Sequence, residues 1–363
     1  MKSNGSTFVI AEAGVNHNGD LGLARQLIDI AATCGADAVK FQSFHAERLV
    51  SGSADKAEYQ IRTTGAAESQ LDMVRKLELS ESQHFELGEH AKVKGIQFLS
   101  TPFDVESLDL LTNRMGLTTI KIASGEITNA PFLLAISRAA KKVILSTGMS
   151  TMDEIEAALS VLAFGFSEKE SSDVPRPKDL LHAFRSMKES AGFRDRVTLL
   201  HCTSEYPAPA AEVNLRAMIT MNHRFGLPTG YSDHTAGIHI ALAAVALGAV
   251  IVEKHFTIDK SLPGPDHMAS VEPDELETLI RQIRDVEKCL GDGVKRPSES
   301  ELKTRLIARR SLVVSKDVAK GEVFTEDNLT CKRAGGGSSP FDYWNLLGKR
   351  ARRSYKTDES VDA

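Results

Sequence analysis

The sequence predicts an α/β fold: a (β/α)8 barrel of the TIM type, followed by a small C-terminal domain. Three observations carry this. Short apolar runs alternate with helical patterns eight times within about 290 residues. Each run ends in polar side chains, as the catalytic face of such a barrel does. No run is followed by the glycine-rich turn that an open, dinucleotide-binding sheet would carry.

The runs read as strands at 8–13, 38–42, 97–100, 119–123, 142–146, 198–202, 229–232 and 250–255. Helical patterns follow most of them, at 21–34, 80–94, 105–115, 130–140 and 152–163, and 273–290 closes the eighth unit. Two stretches fall outside the repeat. Residues 50–77 form a polar excursion after the second strand, suited to a lid or a contact loop. Residues 167–196 read as a surface insertion with one extra helix, away from the strand ends. The domain boundaries expected are 1–290 for the barrel, 291–305 for a charged linker or short helix, and 306–363 for a small domain. In that last part Lys-Gly and Gly-Gly turns replace the βα rhythm.

Composition excludes several functions. The net charge of −5 provides no field for nucleic acid. No apolar run approaches the ~18 residues of a membrane span, and the first residues are polar rather than signal-like. Cys34, Cys202, Cys289 and Cys331 have no paired spacing and read as thiols of a reducing, cytoplasmic compartment.

His234 and His255 carry the sharpest local signal. One predicted strand-helix-strand unit separates them, so both imidazoles emerge at the carboxyl ends of neighbouring parallel strands. Neutral imidazole is the commonest protein metal ligand, so the pair is a candidate metal site. Lys40 and Lys121 end the second and fourth strands, with hydroxyls on the third to fifth nearby. Ammonium groups and hydroxyls together would hold a phosphate or carboxylate. The alternative is that both lysines point outward and lie along apolar surface. A Schiff-base lysine is a further option, which the paired histidines disfavour. Glu12, closing the first strand, suits a general acid or base, or an ion pair with a barrel lysine. Asp266 sits in a stiff Pro-Gly-Pro-Asp turn that can aim it over the barrel mouth. His201 reads as core or supporting, His267 as undecided, and the other histidines as packing or surface residues.

Nine stretches together resemble the sialic acid synthase family of bacterial type: FVIAEAGVNHNG at 8–19, KFQ at 40–42, LSTPF at 99–103, KIASGE at 121–126, LSTGM at 145–149, LHCTSEYPAP at 200–209, GYSDHT at 230–235, EKHFT at 253–257 and PGPD at 263–266. The resemblance implies a barrel with a C-terminal antifreeze-like (SAF, β-clip) domain, exchanged across a homodimer to cap the partner's barrel. It implies condensation of phosphoenolpyruvate with an open-chain N-acylated amino sugar and water, releasing phosphate. A divalent ion on His234 and His255 is implied, manganese first, with magnesium or another ion as alternatives. Lys40, Thr101, Lys121, Ser124, Ser146 and Ser232 match the family's phosphoenolpyruvate cradle. Glu12 and Glu126 match its groups for handling water and protons. Gln42, Tyr206 and Asp266 match sugar contacts, and Ser204 stands where some members have asparagine. An arginine of the small domain would reach the sugar's acyl group, Arg309 in preference to Arg310. The first expected sugar is N-acetylmannosamine, giving N-acetylneuraminate. A 2,4-diacetamido-trideoxy hexose, giving a legionaminic or pseudaminic type acid, is the alternative. Two further readings are a heptulosonate-type synthase and a non-catalytic sugar- or ice-binding protein.

Overall fold

A computed structural model describes residues 6–167, 175–188 and 190–362. Eight parallel strands form one sheet: β1 (Phe8–Gly14), β2 (Ala38–Ser43), β3 (Gln97–Pro102), β4 (Thr119–Ile122), β5 (Lys142–Ser146), β6 (Val197–His201), β7 (Thr229–Asp233) and β8 (Ile251–His255). Their order is β3-β2-β1-β8-β7-β6-β5-β4, and β3 lies against β4, so the sheet curls into a nearly closed TIM-like barrel. Each predicted strand is found within one or two residues at either end.

Parity along the strands divides the side chains into two sets, because successive residues point to opposite faces. Val9, Ala11, Val39, Phe41, Phe98 and Val252 face outward and join the core beneath the helices. Phe8, Ile10, Ala38, Leu99, Ile144, Leu200 and Ile251 face inward and form a separate apolar plug. Two or four residues further along the same inward rows come Glu12, Lys40, Thr101, Ser146, Glu253 and His255, all buried. The barrel interior is thus a dry plug at one end and a polar layer at the other.

The helix before β3 shows how local sequence sets the elements. Ser80 and Gln83 make a reciprocal capping box at the start of Glu81–Lys94, and Gly95 closes it in the left-handed conformation. The predicted helix 105–115 is an α-helix only over Val105–Asp109 and continues as a π turn, Leu110–Arg114. There the Thr112 hydroxyl bonds the Leu108 carbonyl, which competes with the regular ladder.

The excursion after β2 folds as three short helices, Ala46–Leu49, Glu58–Thr64 and Gln70–Arg75. Val15, Phe44, Ala46, Val50, Met73, Val74 and Leu77 hold it down as their own apolar cluster. The 167–196 insertion falls partly on 168–174 and 189, outside the described residues. Its described part holds the helix Pro177–Met187 and the turn Ala191–Arg194. Buried Phe184 and Phe193 join the core around Met152–Ser167, so this stretch is packed in more deeply than a surface insertion. Among the described residues no helix is long and apolar enough to cross a membrane.

A second unit spans Asp292–Ala363. Ser298 caps the helix Glu299–Ala308, which occupies part of the expected 291–305 linker. β9 (Ser311–Val314) pairs antiparallel with β10 (Leu329–Lys332). Leu312, Val314, Val318, Phe324, Leu329, Tyr355 and Val361 make the small core. Tyr355 and Ser360 reach back as single bridges to Val318 and Val313, so the chain's last turn is tied in.

Candidate active site

The polar layer borders a cavity of about 720 Å3, within the range of small-ligand sites. Both lysines point into it. Lys40 Nζ is 2.7 Å from Glu12 Oε2, 3.6 Å from Glu253 Oε2, and donates to Thr101 Oγ1 at 3.1 Å. Lys121 Nζ is 3.4 Å from Glu253 Oε1, which also accepts from Ser232 Oγ at 2.8 Å. The outward-lysine alternative is therefore excluded for both. Glu12 lines the cavity, and the ion pair with a barrel lysine considered for it is present.

Two carboxylates and two ammonium groups share this dry space unequally. Burial would raise Glu253, but Lys121 and Lys40 overcome it and pull that carboxyl down to about 2. Burial raises Glu12 to about 7, against the pull of Lys40 and with the push of Glu253's charge. Burial would lower Lys40, yet Glu12 and Glu253 hold it above its ordinary value. Burial lowers Lys121, outweighing the attraction of Glu253. Glu12 and Lys40 thus shift the same way although they touch. Glu253, held by Lys121, Lys40 and Ser232, is the standing counterion, while Glu12 is the group that exchanges a proton near neutrality. With Glu12 protonated, Lys40 and Lys121 face a single carboxylate charge, Glu253, an arrangement that suits an incoming anion. Ser146 lines the same cavity and its buried hydroxyl has no partner among the described residues.

The imidazoles of His234 and His255 lie 5.6 Å apart between ring centres. His234 Nδ1 is 2.6 Å from the Thr203 carbonyl. A carbonyl only accepts, so Nδ1 carries the proton and Nε2 keeps its lone pair. That Nε2 is 3.3 Å from both the Tyr206 and the Ser232 hydroxyls. Burial lowers His234 to about 4 and His255 well below its ordinary value, so both rings are neutral near pH 7. The buried Nδ1 of His255 has no hydrogen-bond partner among the described residues. Two neutral rings, one oriented by a backbone carbonyl and one with an unsatisfied nitrogen, fit a divalent ion. Among the described residues no group of three or more His, Cys, Asp or Glu is arranged to hold a metal. An ion here would take its remaining ligands from substrate and water.

Glycine is required beside this pair. Gly14 has φ +53°, and a Cβ there would sit 3.3 Å from Glu12 Oε1 and 3.5 Å from the His255 ring. The register between β1 and β2 also shifts at this point.

Gln42, Ser124, Ser204, Tyr206 and Asp266 also line the cavity. The Ser124 hydroxyl lies 3.1 Å from Cys202 Sγ and accepts from the Gly148 amide at 3.0 Å. Burial raises Asp266 to about 6. Its turn is held in place by Asn18 Nδ2, which donates to the Pro263 carbonyl at 2.8 Å, and by His267 Nε2, 3.2 Å from Asn18 Oδ1. His267 is thus a strut rather than a ligand. His201 is also a strut, with Nε2 2.5 Å from the Val213 carbonyl.

Glu126 is not among the cavity-lining residues; its carboxylate accepts from Asn129, the cap of the helix Ala130–Ala139, at 2.8 Å. The strand stops at Ile122, so Glu126 lies in a helical turn beyond it, where strand parity no longer aims side chains inward. Arg309 belongs to the second unit, where it is exposed and ends the helix Glu299–Ala308. Arg310 donates to the Cys331 carbonyl at 3.5 Å.

Several cavity residues were not anticipated, Glu253 and Tyr59 among them. Glu253 was legible, because it lies two residues before His255 on one strand and must share its face. Tyr59 was not, because it lies in the excursion, where no periodicity assigns a direction. Its ring is 5.0 Å from that of Tyr206, which is 4.3 Å from that of His234.

The chain is similar to known proteins over nearly its whole length. The profile of the NeuB family matches residues 27–295, and that of the SAF domain matches 309–363. The chain is 54% identical to the N,N'-diacetyllegionaminic acid synthase of Campylobacter jejuni, covering 98% of each chain. It is 44% identical to the protein of the same name from Legionella pneumophila, covering 96% of this chain and 92% of that one. Among solved structures, an N-acetylneuraminic acid synthetase from Leptospira borgpetersenii superposes with a TM-score of 0.67 at 36% identity, covering 83% of this chain and 91% of that one. The chain belongs to the NeuB family, the family of the sialic acid synthases, and carries a C-terminal SAF domain.

Proposed function

We propose that this chain is a nonulosonic acid synthase of the N,N'-diacetyllegionaminic type. It would condense phosphoenolpyruvate with an open-chain 2,4-diacetamido-trideoxy hexose and water, releasing phosphate. The observation that carries the reaction class is the polar layer itself: two lysines, two glutamates and two neutral imidazoles on the inward rows of one barrel. The identities to the two diacetyllegionaminic acid synthases, 54% and 44%, exceed the 36% to the N-acetylneuraminic acid synthetase. N-Acetylmannosamine, the first expectation from the sequence, therefore becomes the second reading.

In this proposal Lys121, Lys40 and the Ser146 hydroxyl hold the phosphate and carboxylate of phosphoenolpyruvate. Thr101 and Ser232 orient the Lys40 ammonium and the Glu253 carboxylate respectively. C3 of phosphoenolpyruvate forms the new bond to the aldehyde carbon. Water adds at C2, the C2–O bond breaks, and phosphate leaves. Glu12, poised near neutrality, accepts and returns the proton this requires. Tyr206 and Asp266 orient the sugar at the mouth. His234 and His255 would hold a divalent ion, manganese or magnesium, which when bound supplies Lewis-acid polarisation of the aldehyde oxygen. A homodimer exchanging its SAF domains, with Arg309 reaching the partner's sugar, belongs to the same proposal. Arg309 is exposed on the second unit, which suits that contact.

The test is phosphate release from phosphoenolpyruvate with each sugar in turn, with and without chelator. The proposal expects a kcat/KM for the diacetamido sugar at least about tenfold above that for N-acetylmannosamine. The reverse preference would restore the neuraminate reading, and no phosphate with either sugar under any divalent ion would remove both.

A further inference from the structure

The chemistry above uses the axial, polar part of the cavity and leaves one wall unassigned. That wall is built by the excursion after β2: Val50, Ala54, Met73, Val74 and Leu77 border the same cavity, with Tyr59 at their edge. We infer that this wall is the specificity surface for the sugar, binding its deoxy carbon and acetamido methyl groups and disfavouring a hydroxylated hexosamine; the inference rests on the diacetamido reading proposed above.

Position is the first argument. The reacting aldehyde must lie by the imidazoles, so the remaining carbons extend away from them. The rings of His234, Tyr206 and Tyr59 form a continuous file in that direction, with centres 4.3 and 5.0 Å apart. The file ends on the excursion. The second argument is chemical. None of the five aliphatic or thioether side chains donates a useful hydrogen bond, so a sugar hydroxyl facing them would lose its water and gain nothing. A methyl group there loses no hydrogen bond and removes apolar area from water. The third is rigidity. Val50, Met73, Val74 and Leu77 belong to the cluster that packs the excursion onto Val15 and Phe44. Lys56 Nζ ties its strands of chain together by donating to Thr64 Oγ1 at 3.0 Å and the Gly65 carbonyl at 3.1 Å. Ser51, Gln60 and Gln70 border the cavity from the same excursion, so the apolar surface is the stretch formed by Val50, Ala54, Met73, Val74 and Leu77, which this packing holds in place. Packing alone would explain buried apolar residues here, but it does not require that they also border the cavity beyond Tyr206.

The experiment compares kcat/KM for the diacetamido-trideoxy sugar and for N-acetylmannosamine in the full-length protein, in Val74→Thr and in Ala54→Ser. Each change adds one hydroxyl to the wall with little change in volume. Ala54 is half-buried, so its variant retains the fold if Val74→Thr does not. The expected result is a fall of about tenfold in the ratio of diacetamido to N-acetylmannosamine kcat/KM in each variant. An unchanged ratio, with or without a shift in the phosphoenolpyruvate KM, assigns these residues to packing and overturns the inference alone, because wild-type turnover of the diacetamido sugar would still stand. A wild-type protein that prefers N-acetylmannosamine overturns the proposed function and this inference together.

Discussion

The same inward rows of the barrel build two opposite interiors. Near the amino ends of the strands, Ile10, Leu99, Ile144 and Ile251 fill space with no polar atom to satisfy. Two residues on, Glu12, Thr101, Ser146 and Glu253 occupy equally buried positions and create a charged site. The plug excludes water from below and makes every charge above it stronger and more costly. The lesson is that burial here is a device: it raises Glu12 to about 7 and keeps both imidazoles neutral.

That contrast can be broken at several points. The largest effect belongs to the upper layer. His255→Ala is expected to lower turnover by about 10^3-fold or more while leaving the melting temperature nearly unchanged. Near-normal phosphate release without bound metal would remove the two-histidine site.

The next concerns what holds the two histidines in register. Asp233 and Lys254 each precede a histidine, face outward, and pair at 2.9 Å with no exposure on either side chain. Lys254 also donates to the Thr235 carbonyl at 2.5 Å. Lys254→Met leaves Asp233 buried without its cation, held only by the Thr235 amide and hydroxyl, and should cost about 3–5 kcal/mol in denaturant unfolding. Asp233→Leu combined with Lys254→Met should recover most of that loss. If the double variant is no more stable than the single, the pair is not acting as a unit.

A matched pair on β5 then separates the layers directly. Ile144→Ala should cost about 2–5 kcal/mol of stability with both Michaelis constants unchanged. Ser146→Ala should leave stability within about 1 kcal/mol and raise the phosphoenolpyruvate KM by about tenfold. Were the two variants to exchange phenotypes, the division into plug and site would be wrong.

The smallest effect is in pH. Glu12 is raised, so it is protonated below about 7 and charged above. Its deprotonation adds a negative charge beside Lys40 and opposes the substrate anion. The phosphoenolpyruvate KM should therefore rise between pH 6 and 8, and the rise should flatten in Glu12→Gln. The sign for stability agrees: a carboxyl with a raised folded value loses stability as pH climbs from its unfolded value of 4.5 through about 7. An identical KM profile in wild type and Glu12→Gln would assign the proton to another group.

Much of the site was legible because strands have a period of two and barrels place chemistry at strand ends. Lys40, Lys121, His234 and His255 follow from those rules alone. Glu253 required the further step of following parity backward from His255. Glu126 lies in the helical turn beyond β4, where strand parity gives no direction and its carboxylate meets Asn129. Tyr59 and the apolar wall were out of reach, since an excursion without periodicity gives no direction to its side chains.

By itself, then, the sequence determined the eight strands, their inward rows and the residue types at the barrel mouth, because alternation and capping are local properties of the chain. Only the tertiary structure decided which lysine serves which glutamate, which carboxyl stays protonatable, and where Tyr59 and the excursion close the cavity. Those outcomes depend on distances between residues far apart in the chain, and on the loss of water when they meet.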